Sequence, residues 1–359
     1  MSGLRTAIAG AGGWIGQHFA RLLGDHPWFE PPRLFGGPST VGRFLEDVWL
    51  LPDSPCPESL AKVKLEPLRP RTLERLRIPV VFSALPASDA RELEPRLVKR
   101  GISVFSNASA HRLDPGVPLL MPEVNADHLS EVTVSGRSGA LLVTNPNCST
   151  AGLVLGLAPL RAYLDRRTTV YVSTYQALSG AGYQGVPSLA ITDNVVPYIP
   201  EEEEKMHLET RKILGRVRRG RLQEAPFEVL AHCARVSSRE GHLMSVTVGL
   251  KPGAPEEGLG RAWDHFPPAR GPDGARLPTA AERPVIWRTE PDRPQPLRDR
   301  WAGSPERARG MAVTVGRVRI TGRHLRFFLL VHNAVRGGAG GSVLNAELAY
   351  ARGLLREAA

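Results

Sequence analysis

A glycine-rich turn near the start of the chain constrains the fold more than any other feature. Segment 4–9 has the character of a short strand, and it leads into Gly10-Ala11-Gly12-Gly13-Trp14-Ile15-Gly16. Apolar residues then recur at helical spacing as far as Gly24. A strand, a tight glycine turn and a helix N-terminus together form a unit that can hold a dinucleotide pyrophosphate. The turn therefore predicts a dinucleotide-binding domain, with an ordinary loop turn as the less favoured alternative.

The segment after the second predicted strand bears on the choice of dinucleotide. That strand is expected at 33–35, and NAD enzymes place an acidic side chain beyond it to bind the ribose hydroxyls. No acidic residue occurs from Arg33 to Arg43, whereas Ser39, Thr40 and Arg43 offer hydrogen-bond donors. A 2′-phosphate would repel a carboxylate and accept bonds from such donors. The segment favours NADP, with a solvated loop as the alternative.

Short apolar runs alternate with helical spacing through the first 150 residues. The runs at 78–86 and 102–107 are expected to be strands, and the polar segment 89–99 is expected to be a helix. This alternation predicts an α/β fold with an N-terminal Rossmann domain, in which the strands form a doubly wound parallel sheet. The run 140–144 would be the last strand of that sheet.

A lone cysteine follows the last strand. Asn145-Pro146 ends the strand and Ser149-Thr150 is expected to open a helix, so Cys148 lies on a strand-to-helix turn at the carboxyl edge of the sheet. Free N–H groups and the positive end of the helix dipole favour a thiolate there. We therefore expect the pKa of Cys148 to be lowered and Cys148 to be a nucleophile. The alternative is a buried, inert thiol.

The hydrophobic pattern changes after Cys148. Longer runs, several of them alternating, occur at 169–175, 227–232, 243–248, 311–315 and 325–330. They predict a second, α+β catalytic and dimerisation domain with a mixed, largely antiparallel sheet. The Pro- and Gly-rich stretch 252–300 is expected to be loop. We assign 1–147 to the cofactor-binding domain, which the C-terminal helix 338–359 rejoins, and 148–337 to the second domain.

Composition narrows the possible classes of function. Apolar residues make up 42% of the 359, no run could span a bilayer and the N-terminus has no signal-peptide pattern, so a cytoplasmic protein without a membrane partner is expected. Three cysteines without metal-ligand spacing argue against a disulfide framework and against a metal site. The net charge of +10 is scattered, which favours small anions over nucleic acid as ligands.

Nine groups of residues occur in the order found in one enzyme family. They are Gly10 to Gly16, Ser106-Asn107-Ala108-Ser109 with Arg112, Pro122 to Asn125, Asn145 to Cys148, Tyr175 to Gly182, Asn194 to Ile199, Arg235 with Gly241-His242, Asp292 to Pro296, and His332-Asn333 with Gly341 to Asn345. The chain thereby resembles the aspartate-semialdehyde dehydrogenases of the archaeal and fungal branch. These belong to the glyceraldehyde-3-phosphate-dehydrogenase-like superfamily.

The resemblance implies a reaction and its catalytic residues. Such enzymes reduce L-aspartyl 4-phosphate with NADPH to L-aspartate 4-semialdehyde and inorganic phosphate. Cys148 would attack the acyl phosphate and form a thioester that a hydride reduces. His242 would be the general acid and base, and Gln176 would orient the substrate.

The resemblance also implies binding residues. Arg235 would bind the substrate α-carboxylate and Glu202 its ammonium group, although a neighbouring glutamate could take the role of Glu202. Arg112, Asn147 and Lys205 look like phosphate ligands, and Asn333 would contact the nicotinamide amide. The expected cofactor contacts are Gly10, Gly12, Gly13, Trp14, Ile15, Ser39, Thr40, Ser83, Gly182 and Asn333.

Two departures from the family pattern keep alternatives open. Ser237-Ser238 stands where the family usually has Pro-Val, and the loop Gly36 to Thr40 lacks the family's arginine. The acyl substrate could be an aspartate-like acyl phosphate of specialised metabolism or an acyl-CoA such as malonyl-CoA. A catalytically weak NADP-binding homologue is the third possibility. A homodimer or homotetramer is expected.

Overall fold

The computed structural model describes residues 3–131, 139–219, 221–253 and 259–355. Parts of the predictions lie outside these residues. They are the ends 1–2 and 356–359, segment 132–138 of the predicted cofactor-binding domain, residue 220, and segment 254–258 of the predicted loop. Two six-stranded sheets and a small hairpin organise the described residues.

The first sheet is parallel throughout. Its strands are β1 (Thr6–Ala9), β2 (Arg33–Gly36), β3 (Glu66–Pro67), β4 (Val80–Ser83), β5 (Ser103–Ser106) and β6 (Leu142–Thr144). The order β3-β2-β1-β4-β5-β6 reverses direction between β1 and β4, which confirms the predicted doubly wound sheet. Ligands of such sheets bind at this reversal, beyond the carboxyl ends of the strands.

Five helices accompany this part of the chain: α1 (Trp14–Leu23), α2 (Glu58–Ala61), α3 (Pro70–Arg75), α4 (Ala87–Val98) and α5 (Pro122–Asn125). α1 follows the glycine-rich turn. The backbone N–H groups of Gly10 and Ala11 donate to the carbonyl of Phe35 at 2.9 and 2.8 Å, and Gly10 has a φ of +85°. No side chain caps the N-terminus of α1. Its first N–H groups are therefore available to a phosphate, as the sequence predicts.

The second sheet is mixed. The remaining strands are β7 (Thr169–Gln176), β8 (Arg216–Arg218), β9 (Arg221–Gln223), β10 (Glu228–Arg235), β11 (His242–Gly249), β12 (Val285–Arg288), β13 (Val313–Thr321) and β14 (His324–Val331). β8 and β9 form the hairpin, and the others form a sheet in the order β10-β7-β11-β14-β13-β12. The pairs β10–β7 and β12–β13 are parallel and the other three pairs are antiparallel, which confirms a mixed, largely antiparallel sheet.

Three helices, α6, α8 and α9, pack on strands of this sheet. The helices of this part of the chain are α6 (Cys148–Leu157), α7 (Ser188–Ile191), α8 (Glu202–Ile213), α9 (Leu259–Asp264), α10 (Pro296–Asp299) and α11 (Gly340–Ala351). α6 is buried from Ser149 to Leu157 and packs on β14, while α8 packs on α6 and β10. α11 instead packs on α1 and shares the core of the first sheet, where Val343 and Leu348 belong to the same hydrophobic cluster as Ile8 and Phe19.

The stretch 252–300 is more ordered than the loop prediction for it. It contains α9, α10 and the edge strand β12, whose four residues pair with β13. Prolines and glycines around each of these short elements hide their periodicity in the sequence. Among the helices of the described residues, none has the length and apolar character needed to cross a membrane.

The glycine turn gives a test of the fold. A Cβ atom at Gly16 would lie 2.0 Å from the carbonyl oxygen of Gly10, so the turn must open to admit it. We expect Gly16→Ala to lower the free energy of unfolding by about 1–3 kcal/mol and to weaken NADP binding. Gly249→Ala is the matched control, because Gly249 ends β11 in the second sheet and its Cβ position has only ordinary contacts, with backbone atoms of Thr169 at 3.7 and 3.8 Å. Urea unfolding and NADP titration check this; equal behaviour of the two variants would contradict it.

Candidate active site

Asn147 and Gly337 set the position of Cys148. The side-chain oxygen of Asn147 accepts hydrogen bonds from the N–H groups of Ser149 and Thr150, at 2.9 and 3.2 Å, and so caps α6. The helix therefore begins at Cys148 itself, one residue earlier than expected. Behind the cysteine, a Cβ atom on Gly337 would lie 2.7 Å from both the Cα and the Cβ of Cys148, so only glycine fits there.

The expectation of a lowered pKa for the Cys148 thiol is wrong. Burial raises the pKa of Cys148 to about 12, and the nearby carboxylate of Glu202 raises it further. The charges of Arg112 and Arg235 and the N–H of Ser149 act in the opposite direction. The resting group is a thiol, because desolvation and one carboxylate outweigh the helix end.

Glu202 connects three of the predicted site residues. It is 6% exposed, and its carboxylate accepts hydrogen bonds from Nε2 of Gln176 at 2.9 Å, from Nδ2 of Asn147 at 2.9 Å and from Oγ of Ser149 at 3.3 Å. Gln176 ends β7, Asn147 caps α6 and Glu202 begins α8, so this carboxylate lies where three elements meet. The acidic residue chosen from four consecutive glutamates is thus beside the cysteine.

Glu209 is a site residue that the sequence analysis missed. Its carboxylate accepts from Nη1 of Arg112 at 3.0 Å and from the N–H of Asn147 at 2.7 Å. It is 1% exposed. Its position seven residues after Glu202, two turns along the same helix face, was the available signal.

A cavity of about 440 Å³ lies at the N-terminus of α4 and contains the predicted phosphate ligands Arg112 and Lys205. Arg91 also lines it. Each of these cations is paired with a carboxylate: Arg112 with Glu209 at 3.0 Å, Lys205 with Glu201 at 2.9 Å, and Arg91 with Asp114 at 2.9 Å.

Arg235 ends β10 and His242 begins β11, at the same edge of the second sheet and on either side of β7. Arg235 donates from Nη1 to the carbonyl of Ala177 at 2.8 Å, and Nδ1 of His242 accepts from the N–H of the same residue at 3.0 Å. Beside both stands Gly180, whose Cβ position is 2.7 Å from Arg235 Nη1 and 3.1 Å from His242 Nε2. A side chain at position 180 would fill the space between them.

His242 is neutral in this structure. Burial, and secondarily the charge of Arg235, lower its pKa to about 3. Because Nδ1 accepts a hydrogen bond, the ring proton resides on Nε2, which has no partner within the described residues. Nε2 is therefore a donor. To act as a base through Nε2, the ring would have to carry its proton on Nδ1 instead. The N–H of Ala177 opposes that tautomer, because it donates a hydrogen bond to Nδ1.

The residues expected to bind the cofactor lie on both sides of the sheet reversal. Thr40 lies against Gly12, whose Cβ position is 2.7 Å from the Thr40 hydroxyl, and Ser39 is exposed beside it. Trp14 stacks on Tyr183, next to Gly182, with ring centroids 6.0 Å apart. Ser83 is buried at the end of β4, and Ile15 packs beside Gly338. The uncapped helix, the hydroxyls and the absence of a carboxylate from Arg33 to Arg43 fit a 2′-phosphorylated dinucleotide.

Asn333 is already engaged within the protein. It donates from Nδ2 to Oγ of Ser179 at 2.9 Å, and its Oδ1 accepts from the N–H of Gly241 at 2.9 Å. It thus ties the loop after β7 to the loop before His242. In the part of the chain described here, no group of three or more His, Cys, Asp or Glu side chains could hold a metal ion.

Two family models match the chain. "Semialdehyde dehydrogenase, NAD binding domain" matches residues 5–132, and "Semialdehyde dehydrogenase, dimerisation domain" matches residues 157–336. Together they span five of the six strands of the first sheet and all six strands of the second.

Relatives match over nearly their whole length. An aspartate-semialdehyde dehydrogenase of Archaeoglobus fulgidus is 42% identical, with 96% of this chain and 97% of the relative covered. A malonyl CoA reductase (NADP) of Metallosphaera sedula is 34% identical, with 98% of each covered. A crystal structure of aspartate semialdehyde dehydrogenase with NADP from Candida albicans superposes with a TM-score of 0.82 at 31% identity, with 99% of this chain and 100% of that one covered.

The charge on Glu202 gives a test of the site. Because this carboxylate raises the pKa of Cys148, Glu202→Gln should increase the thiolate fraction. We expect iodoacetamide to alkylate Cys148 roughly tenfold faster in Glu202→Gln than in wild type at pH 8. Peptide mass spectrometry measures the alkylation rate. Glu204→Gln is the control, since Glu204 is exposed on the same helix turn. An unchanged rate in Glu202→Gln, or an equal gain in the control, would contradict the assignment.

Proposed function

This chain belongs to the semialdehyde dehydrogenase family, and from that premise we propose that it catalyses the NADP-dependent reductive dephosphorylation of L-aspartyl 4-phosphate to L-aspartate 4-semialdehyde. The observation that carries this proposal is that two cationic groups, Arg112 and Arg235, both lower the pKa of the Cys148 thiol. Arg112, which lines the cavity with Lys205, and Arg235, at the edge of the second sheet, each favour the thiolate form of Cys148 through their positive charge. A substrate with an acidic group at each end matches this arrangement.

Different residues bind the different charged groups of the substrate. In the proposed complex, Arg112, Lys205 and Asn147 bind the phosphoryl group, Arg235 binds the α-carboxylate, and Glu202 binds the ammonium group. Gln176, which already donates to Glu202, is held beside the reacting carbon. The two cations favour the thiolate over the thiol, and substrate ammonium would offset the charge of Glu202.

Cys148 performs the covalent step. Its sulfur attacks the carbonyl carbon, the carbon–oxygen bond to phosphate breaks, and the thiol proton leaves with the phosphate. NADPH, when bound at the glycine turn, supplies the hydride that reduces the resulting thioester. Nε2–H of His242 donates to the carbonyl oxygen as negative charge develops on it. The carbon–sulfur bond then breaks, the aldehyde is released and the sulfur regains a proton from solvent.

The reverse reaction tests this proposal. We expect purified protein to reduce NADP with L-aspartate semialdehyde at a rate that depends strongly on inorganic phosphate, and Cys148→Ala to abolish that rate. Absorbance at the NADPH band measures it. The similarity to a malonyl CoA reductase supplies the competing outcome: coenzyme A in place of phosphate would support the oxidation. Activity with coenzyme A alone, or full activity of Cys148→Ala, would contradict the proposal.

We also propose that the outer face of the second sheet joins two copies into a homodimer. Tyr171, Tyr175 and Leu230 lie on neighbouring strands of that face with 52, 39 and 48% of their surface exposed. Large apolar side chains grouped on one face are typical of an interface between copies of a chain. The matched model for 157–336 is a dimerisation domain, which agrees with this placement.

The dimer is testable in solution. Leu230→Arg puts a charge at the centre of the proposed interface, and we expect it to yield monomers, whereas Leu297→Arg, at an exposed leucine on α10, should leave the assembly unchanged. Light scattering measures the mass of each variant. A wild-type protein that is a monodisperse monomer would contradict the interface.

A further inference from the structure

The loop between Arg235 and His242 is held by the rest of the second-sheet active site. The carbonyl of Ser238 accepts from the N–H of Leu178 at 2.8 Å, and the carbonyl of Arg239 accepts from the N–H of Ser179 at 3.1 Å. Asn333 binds the N–H of Gly241 at the other end. Residues 236–241 therefore move together with the groups that the second sheet contributes.

An ion pair connects the same loop to the segment between β2 and α2, which belongs to the cofactor-binding part of the chain. Nη2 of Arg239 donates to both oxygens of Asp53, at 2.7 and 2.6 Å, and Nη2 of Arg300 donates to Asp53 at 3.0 Å. Asp53 lies in the segment between β2 and α2, so the contact joins residues 186 positions apart. An aspartate of the cofactor-binding side thus holds an arginine three residues before His242.

The next residue of the loop makes a second, buried contact. Glu240 is 2% exposed, and its carboxylate lies 3.7 Å from Nε2 of His18 on α1 and 3.9 Å from Nε2 of His332. Nε of Arg300 is 4.0 Å away. Arg300 therefore lies between the two carboxylates, Asp53 at the surface and Glu240 inside.

This connection matters because the reacting groups come from two sheets. Cys148 and the glycine turn follow strands of the first sheet, whereas Arg235 ends β10 and His242 begins β11 in the second. A misplacement of about 1 Å between reacting groups can cost on the order of a hundredfold in rate. A partly exposed ion pair contributes little to the free energy of folding. The side chains of Asp53 and Arg239 are 28 and 51% exposed, so we expect their effect in catalysis more than in stability.

We propose that Asp53 is a positioning residue that, through Arg239, fixes the loop carrying His242 relative to Cys148. The inference rests on the proposed function only in taking Cys148 and His242 as reacting groups. Asp53 does not line the cavity that contains Arg112 and Lys205. It acts by holding residues 236–241, together with the second-sheet groups bound to them, against the segment between β2 and α2, and removal of its charge releases that contact.

Asp53→Asn tests the proposal, because it keeps the shape of the side chain and removes its charge. We expect kcat to fall roughly tenfold, with the KM values for NADP and aldehyde within about twofold of wild type. The melting temperature should change by less than about 3 °C. Asp25→Asn is the matched control, since Asp25 pairs with Arg307 at 3.2 Å at the far end of α1. It should leave kcat unchanged.

Arg239→Gln supplies the second variant and a double-mutant cycle. If the two side chains act as one pair, each single variant lowers kcat to a similar extent and the double variant lowers it no further. Additive losses would overturn the proposal. So would a kcat of Asp53→Asn equal to that of Asp25→Asn, or a loss of kcat matched by a large fall in melting temperature in both single variants.

Hydrogen–deuterium exchange makes the test independent of the substrate. Amides of 236–242 should exchange faster in Asp53→Asn and Arg239→Gln than in wild type or Asp25→Asn. If the protein turned over no acyl phosphate, this result would still support the positioning role while the proposed function failed. Unchanged exchange in that segment would overturn the role even for an active enzyme.

Discussion

The hydrogen bonds of Asn147 are the interaction on which the arrangement of this active site depends. Its side-chain oxygen caps α6, its side-chain nitrogen donates to Glu202 and its backbone N–H donates to Glu209. One residue thus defines where the cysteine's helix starts and where α8 docks against it. Both carboxylates are buried, and a buried carboxylate without its donors is costly, so the two helices have little freedom to shift.

The first half of the fold follows from patterns that the sequence displays directly. A glycine turn between a strand and a helix, and strands that alternate with helical spacing, have few structural solutions, and the parallel sheet matches them. The sequence did not predict β12, because a pattern of four residues between prolines is too short to recognise as a strand. Nothing local distinguishes such an edge strand from a loop. Its identity comes from pairing with β13, almost thirty residues away in the chain.

The site was predictable in its residue types and much less so in its electrostatics. The motifs indicated Cys148, Gln176, Arg235 and His242, and the structure brings them to one region. The pKa of Cys148 was expected to be lowered, whereas burial and Glu202 raise it. The sequence shows the helix N-terminus that favours a thiolate, but it does not show burial or a carboxylate that arrives from α8. The tautomer of His242 depends on a backbone N–H that only the folded chain places beside it.

The paired cations of the cavity have a consequence for turnover. Arg112 and Lys205, which bind the phosphoryl group in the proposed complex, each hold a carboxylate, so an incoming phosphoryl group would exchange with these carboxylates instead of meeting bare charges. Exchange keeps the affinity for a dianion modest, because each new ion pair is formed at the expense of an old one. In the proposed cycle, departing phosphate would be released as the carboxylates return to Arg112 and Lys205. The pairs that neutralise these two cations would thereby keep the product from blocking the next cycle.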